Sequence, residues 1–321
     1  MLKNRALQLS LFITFVLMVS LLLSLDLPKL GDIFANLRWT YFALGLVPLF
    51  FEVSLKALRT RVFTQLWTPL SLKDAYIVTL IGFPFGTITP GRVGDLVKVH
   101  ILSQKTGLPM TKAFVVGMAE KIIDLLTLFA LVGAGVAMLF MQGIGGTPLL
   151  FILLFAIASG VSIFILLQGT LMRPLFRLFY EKVIPQRLHE KLHMAFDEFY
   201  GTLGLILSTR KTLVAGVGFG GLLWISRTMQ VYLFLKALGL SVALDYFLAI
   251  IPLTYVAEII PITIMGFGVR EYTFLLLFQF AGVTPEASVA LALMVFAFGI
   301  LPPAILGYVV ALKEYAKKIE H

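Results

Sequence analysis

Thr89-Pro90-Gly91-Arg92-Val93-Gly94-Asp95 breaks one apolar segment in its middle, and Pro261-Ile262-Thr263-Ile264-Met265-Gly266-Phe267-Gly268-Val269-Arg270-Glu271 breaks another. Each sets helix breakers and opposite charges inside sequence that is otherwise soluble in lipid. In hydrocarbon, an unwound backbone leaves costly unpaired polar groups, so such a break survives only where protein or a wet cavity surrounds it. Charges at that depth point to a transport site, and paired discontinuous helices to where it sits.

The rest of the chain supplies the lipid-soluble setting. Of 321 residues, 59% are hydrophobic and 13% charged, with a mean hydropathy of +0.97. Soluble domains carry about 25% charged residues, so this is an integral membrane protein. The formal charge of +9 does not signal nucleic acid, because the basic residues lie between apolar spans, where they act as topology signals and anionic-lipid contacts. The absence of cysteine excludes disulfides, thiolate metal sites and cysteine nucleophiles, and leaves the redox compartment open. Lys3 and Arg5 precede an apolar run from Ala6 to Leu25. That run exceeds a signal-peptide core and lacks a small-x-small cleavage site, so it reads as a retained first helix.

Full spans of about 20 apolar residues fit residues 6–27, 39–58, 111–140, 148–168, 211–235 and 286–312. Residues 74–102 and 245–281 remain, apolar at both ends and interrupted between. Tyr76 to Phe85 would cover about 15 Å as a helix, half of a core about 30 Å thick. It enters the membrane without crossing. With the N-terminus cytoplasmic, two crossings return Arg59 and Arg61 to the same side. Re-entry of the first broken segment keeps Lys98, Lys105 and Lys112 there too. The tail cations Lys313, Lys317 and Lys318 follow, so both termini are expected in the cytoplasm and the protein in the cell membrane. By the same parity, the second broken segment re-enters from the opposite face. Residues 170–210 form the long polar insertion, either an amphipathic surface helix or a solvated connector.

Self-comparison finds one order of residues twice, at an offset of roughly 170. Arg59-Thr60 matches Arg227-Thr228; Leu70-Ser71 with Asp74 matches Leu240-Ser241 with Asp245; Asp95 matches Glu271; Gly107-Leu108 matches Gly282-Val283. The expected fold is therefore an all-α polytopic membrane protein with about six full transmembrane helices plus two re-entrant helical hairpins in an inverted repeat. Its halves span 39–140 and 211–312 in a single domain, residues 1–321.

Pro90-Gly91-Arg92-x-Gly94-Asp95-x-x-Lys98, Glu120-Lys121-x-x-Asp124, and Pro261-x-Thr263 through Gly266-x-Gly268-Val269-Arg270-Glu271 resemble motifs of the lysylphosphatidylglycerol synthase transmembrane family, also described as flippase-like membrane proteins. The resemblance covers residues from about 6 to 312. Asp95, Lys98 and Lys121 stand where that family usually shows Glu, Arg and Arg, keeping each charge but exchanging a planar fork for a point donor. The resemblance implies a membrane module that moves, or helps to move, polar-headed lipids. In the two-domain synthases a separate soluble domain attaches the amino acid. No such domain is expected here, so the chain alone should not be a lysyl-lipid synthase.

Glycines 91, 94, 266 and 268 allow close backbone approach. Half-helices starting after Pro90 and after Gly268 would aim N–H groups at an anion, for which phosphate is the natural candidate. Arg92 and Lys98 from one half and Arg270 from the other would hold it, with Asp95 and Glu271 as internal partners. Glu120, Lys121 and Asp124 share one stretch of helix as a charge cluster bracing the first hairpin or a proton or cation relay. Glu52 and Lys56, at i,i+4, read mostly as a structural ion pair, whereas mid-span Arg227 is the better cavity candidate. His100, His189, His193 and His321 are scattered; His189 and His193 have an i,i+4 spacing that can bind zinc, but no acidic or third ligand pattern accompanies them, so they read as surface helix polarity. No cofactor motif, P-loop or nucleophile elbow is present.

The leading expectation is a transporter for an anionic phospholipid or a polyprenyl-phosphate-linked lipid. The competing readings are a membrane-embedded lipid or glycan enzyme using Asp95, Glu120 or Glu271, and a subunit presenting lipid to a separate synthase or glycosyltransferase.

Overall fold

A backbone without water to bond must close its hydrogen bonds within the segment, and every regular element among the described residues is helical. The computed structural model describes residues 2–88, 94–141, 143, single positions between 154 and 168, 169–183, 189–259 and 263–319. In chain order the helices are α1 (Leu2–Ser24), α2 (Leu27–Ala35), α3 (Trp39–Thr64), α4 (Leu72–Ile88), α5 (Asp95–Thr106), α6 (Met110–Met141), α7 (Gly169–Val183), α8 (His189–Ser208), α9 (Arg210–Ala237), α10 (Leu244–Ile259), α11 (Val269–Gln279), α12 (Pro285–Met294) and α13 (Leu301–Ile319). A π-helical stretch, Val295–Ile300, fuses α12 to α13.

Four helices are long and apolar enough to cross a membrane: Trp39–Thr64, Met110–Met141, Arg210–Ala237 and Pro285–Ala316. They correspond to four of the six spans expected. The first expected span, 6–27, is not one straight rod, because α2 leaves α1 at 85°. Asp26 caps α2 by accepting from the Lys29 N–H at 3.2 Å, and Pro28 in its first turn suits a helix start and not a continuation. The expected span at 148–168 falls largely on residues outside those described.

Both interrupted segments fold back on themselves. Lys105 at the end of α5 meets Asp74 at the start of α4 at 3.2 Å, and the Tyr246 hydroxyl of α10 donates to the Leu277 carbonyl of α11 at 2.8 Å. In the first hairpin the arms touch backbone to backbone: a Cβ on Gly94 would lie 1.9 Å from the Phe85 carbonyl oxygen. Pro84 inside α4 has no N–H to give Leu80, and the freed carbonyl is where Gly307 of α13 seats, a Cβ there falling 2.0 Å from Leu80 O. Proline and glycine thus combine to draw the last helix onto the first hairpin.

The order long helix, two hairpin arms, long helix occurs twice. Its lengths are 26, 17, 12 and 32 residues in α3 to α6, then 28, 16, 11 and 32 in α9 to α11 and Pro285–Ala316. Each set has its own core. Phe63, Val78, Leu102 and Val116 are buried in the first, and Phe234, Phe247, Phe274 and Phe278 in the second. They meet where α3 crosses α9, joined by Ser226 donating to the Pro48 carbonyl at 2.8 Å and Gln230 to the Gly45 carbonyl at 3.2 Å. Small residues let such helices approach closely; Gly216 and Gly220 of α9 lie against Phe63 and Ile123.

In the polar insertion, α8 is no solvated connector, since its Leu203 and Ile206 are buried in the first core. Helix α7 exposes Leu171 and Leu178 and is tied to α8 by Arg173 and Asp197 at 2.5 Å.

Candidate functional site

Helix α3 carries Glu52, Lys56 and Arg59 at i, i+4 and i+7, and so on one face. That face meets Glu120 and Asp124 of α6, Lys98 of α5 and Arg227 of α9. The Arg59 guanidinium grips Asp124 with both ends, Nη1 to Oδ1 at 2.6 Å and Nη2 to Oδ2 at 3.0 Å. Lys98 donates to Glu120 Oε2 at 2.5 Å and to Thr60 Oγ1 at 3.1 Å, while Thr60 donates to Glu120 Oε1 at 2.6 Å. Glu52 accepts on a single oxygen, Oε1, from Lys56 Nζ at 2.5 Å, Arg227 Nε at 3.1 Å and Arg227 Nη2 at 2.6 Å.

Removing such charges from water costs several kcal/mol per ion unless each finds a partner. Arg59 is 1% exposed, and Glu52 and Glu120 are each 5% exposed, so pairing is a condition of folding here. Aromatic faces complete the enclosure: Lys56 lies 4.3 Å from the Phe83 ring centroid, and Arg227 lies 5.5 Å from those of both Trp224 and Tyr255. Phe83 belongs to the first hairpin and Tyr255 to the second. Lys98 reaches Glu120 over Gly82, where a Cβ would come within 3.0 Å of the lysine stem.

The residues named from sequence divide into three sets. Lys98, Glu120, Asp124 and Arg227 are in the network, with Lys121 half-buried on α6 between the two carboxylates. Each carboxylate has its own cation, Lys98 for Glu120 and Arg59 for Asp124. Arg270 and Glu271 form a second, separate pair, both 0% exposed. Arg270 donates to Glu271 Oε1 from Nε at 3.2 Å and Nη2 at 2.7 Å, between the rings of Phe267 and Phe296. Glu271 Oε2 accepts from the Gly268 N–H at 2.7 Å. The amide expected to face an anion is therefore capped by the protein's own carboxylate. Gly266 and Gly268 have φ of +72° and +84°, a region open mainly to glycine; Gly94 serves close packing instead. The third set, Pro90, Gly91, Arg92, Pro261 and the Asp95 side chain, lies outside the described residues.

Sequence reasoning missed Arg59, Thr60 and the weight of Glu52 and Lys56. Arg59 was expected as a loop-end topology cation, and it is buried on Asp124. The available signal was the i, i+4, i+7 spacing of three charges within one apolar helix. Among the described residues, no group of three metal-ligating side chains comes together.

Four apolar spans, two broken hairpins and a buried ion-pair network between them define a polytopic membrane protein organised around an interior polar site. The family model of the lysylphosphatidylglycerol synthase TM region matches residues 7–307, and the chain belongs to that family. It is 22% identical over 291 residues to a UPF0104 membrane protein of Methanothermobacter thermautotrophicus, covering 86% of each chain.

Proposed function

We propose that this protein moves an anionic, polar-headed lipid or lipid-linked intermediate across the bilayer. The observation that carries the reading is the charge count of the interior network. Among the described residues joined by these ion pairs, Lys56, Arg59, Lys98 and Arg227 face Glu52, Glu120 and Asp124, four cations on three carboxylates. A surplus charge in a low-dielectric interior is expensive and marks function by default; an arriving anion would neutralise it. The twice-repeated order of elements supports two halves, 39–140 and 211–312, whose re-entrant hairpins meet near the midplane in inverted orientation. Acyl or prenyl chains would remain in the bilayer while the headgroup crosses along the polar interior. The chain would act in the cell membrane, receiving lipid from a separate synthase or glycosyltransferase.

The test is movement of labelled anionic, zwitterionic and polyprenyl-phosphate lipids in vesicles containing purified protein, with protein-free vesicles as baseline. Anionic lipid is expected to cross faster than baseline and to slow in Arg227→Gln. No movement of any class by correctly folded protein would refute the reading.

A further inference from the structure

The surplus charge has an address. Arg59 with Asp124 and Lys98 with Glu120 are balanced pairs, whereas one oxygen of Glu52 serves both Lys56 and Arg227. We infer that Lys56 and Arg227 together seat the phosphodiester monoanion of a phospholipid headgroup. This deepens the proposed lipid-moving role and rests on it for the source of the anion.

Donor chemistry supports the assignment. Arg227 commits Nε and Nη2 to Glu52 and keeps Nη1, and the Lys56 ammonium commits one of its three N–H bonds. The two side chains retain 18% and 22% exposure, against 14% for Lys98 and 2% for Arg59, so they are the more approachable of these four cations. Charge-assisted bonds from an arginine edge and an ammonium suit the oxygens of one phosphate. Phe83, Trp224 and Tyr255 wall the place with apolar surface from α4, α9 and α10. A phosphodiester brings one negative charge and balances two cations against two anions. A zwitterionic headgroup adds no net charge and leaves the surplus in place, which predicts selection for anionic lipid.

Trp224 reports on the seat directly. With Trp39→Phe and Trp67→Phe, Trp224 is the sole tryptophan left of three. Its emission would be titrated in micelles with short-chain phosphatidylglycerol, phosphatidylcholine and inorganic phosphate. Phosphatidylglycerol should bind saturably and at least about tenfold more tightly than the other two, the worth of one charge-assisted bond. Lys56→Met should erase that preference without lowering the melting temperature, and Lys56→Arg should keep it. Equal affinity for both lipids, an unchanged preference in folded Lys56→Met or Lys56→Gln, or phosphate binding as tightly as lipid would each overturn the seat. The vesicle assay separates the two claims. Movement of anionic lipid with an unaltered Lys56→Met titration leaves the transporter and refutes the seat, whereas a selective titration without movement keeps the seat and refutes transport.

Discussion

Asp124→Asn should destabilise the fold far more than its position suggests. The change strands Arg59, whose side chain is 2% exposed and whose Nε already has no hydrogen-bond partner among the described residues. At an effective dielectric constant near 20, two unit charges 4 Å apart attract by about 4 kcal/mol, and breaking a buried pair from one side costs about 3–5 kcal/mol. The asparagine oxygen still accepts one bond, so the lower figure, about 3 kcal/mol, is the expectation. Arg59→Met should cost less, because the Asp124 side chain left behind is 34% exposed. The double variant Arg59→Met with Asp124→Leu removes both charges and should recover most of the loss, since apolar replacement of a whole buried pair is commonly neutral or stabilising. Thermal unfolding of the purified protein in detergent reads the series, and at roughly 2–4 °C per kcal/mol the single Asn variant should fall by at least about 6 °C. A double variant as unstable as Asp124→Asn would refute the reasoning, because the loss would then come from packing and not from a stranded charge.

Other substitutions follow from the same geometry. Lys56→Met should leave the melting temperature unchanged or raise it, because it removes the surplus cation, while Glu52→Gln should lower it by stranding two. Gly94→Ala forces a Cβ to 1.9 Å from a backbone oxygen and should cost at least about 1–3 kcal/mol; Gly221→Ala, with nothing within 4 Å inside α9, should gain up to about 1 kcal/mol. Comparing folded yield and unfolding midpoint of these two glycine variants checks the sign. Outside the four spans, the Ser71 hydroxyl first and Lys105 second hold Asp74 below its ordinary 3.8, so its stabilisation is present above about pH 4 and drains away as the pH falls further. Lys105 is raised above 10.5 by Glu314 and then Asp74, so its share is full below that pH and lost as pH climbs past it. Lys105→Met should therefore flatten both limbs by no more than about 1 kcal/mol, read from unfolding midpoints at pH 3 to 11.

The sequence announces the two breaks because Pro90, Gly94, Gly266 and Gly268 are conspicuous in apolar surroundings, and they fall between paired helical arms. The all-helical membrane class is equally legible, since composition leaves the backbone no other way to satisfy itself. Partnership was the hidden part. Arg59 and Asp124 are 65 positions apart and Glu52 and Arg227 are 175 apart; nothing in local spacing says that each carboxylate answers a cation on another helix. Local spacing even misdirects, for Glu52 and Lys56 form the expected i,i+4 pair, and that pair looks complete until Arg227 arrives on the same oxygen. The bend after Ser24 is a milder case: hydropathy runs on from Ala6 through Leu25, but Asp26 and Pro28 restart the helix in a new direction. Reading caps together with hydropathy would have shortened the span.

The two hairpins also differ in a way that bears on mechanism. The second pairs Arg270 and the Gly268 amide with Glu271 at no exposure, leaving Arg270 Nη1 without a hydrogen-bond partner among the described residues. The first sends Lys98 outward to Glu120 and Thr60 and meets α13 through Gly307 and Lys105. A hairpin whose cation is bonded to a different helix cannot shift without breaking that bond, whereas a self-paired hairpin carries its pair along as it moves. Any motion of the first hairpin would therefore be coupled to the network through Lys98, and any motion of the second would reach it through the aromatic wall at Tyr255. The ligand proposed on Lys56 and Arg227 would lie between Phe83 and Tyr255 and so touch both hairpins.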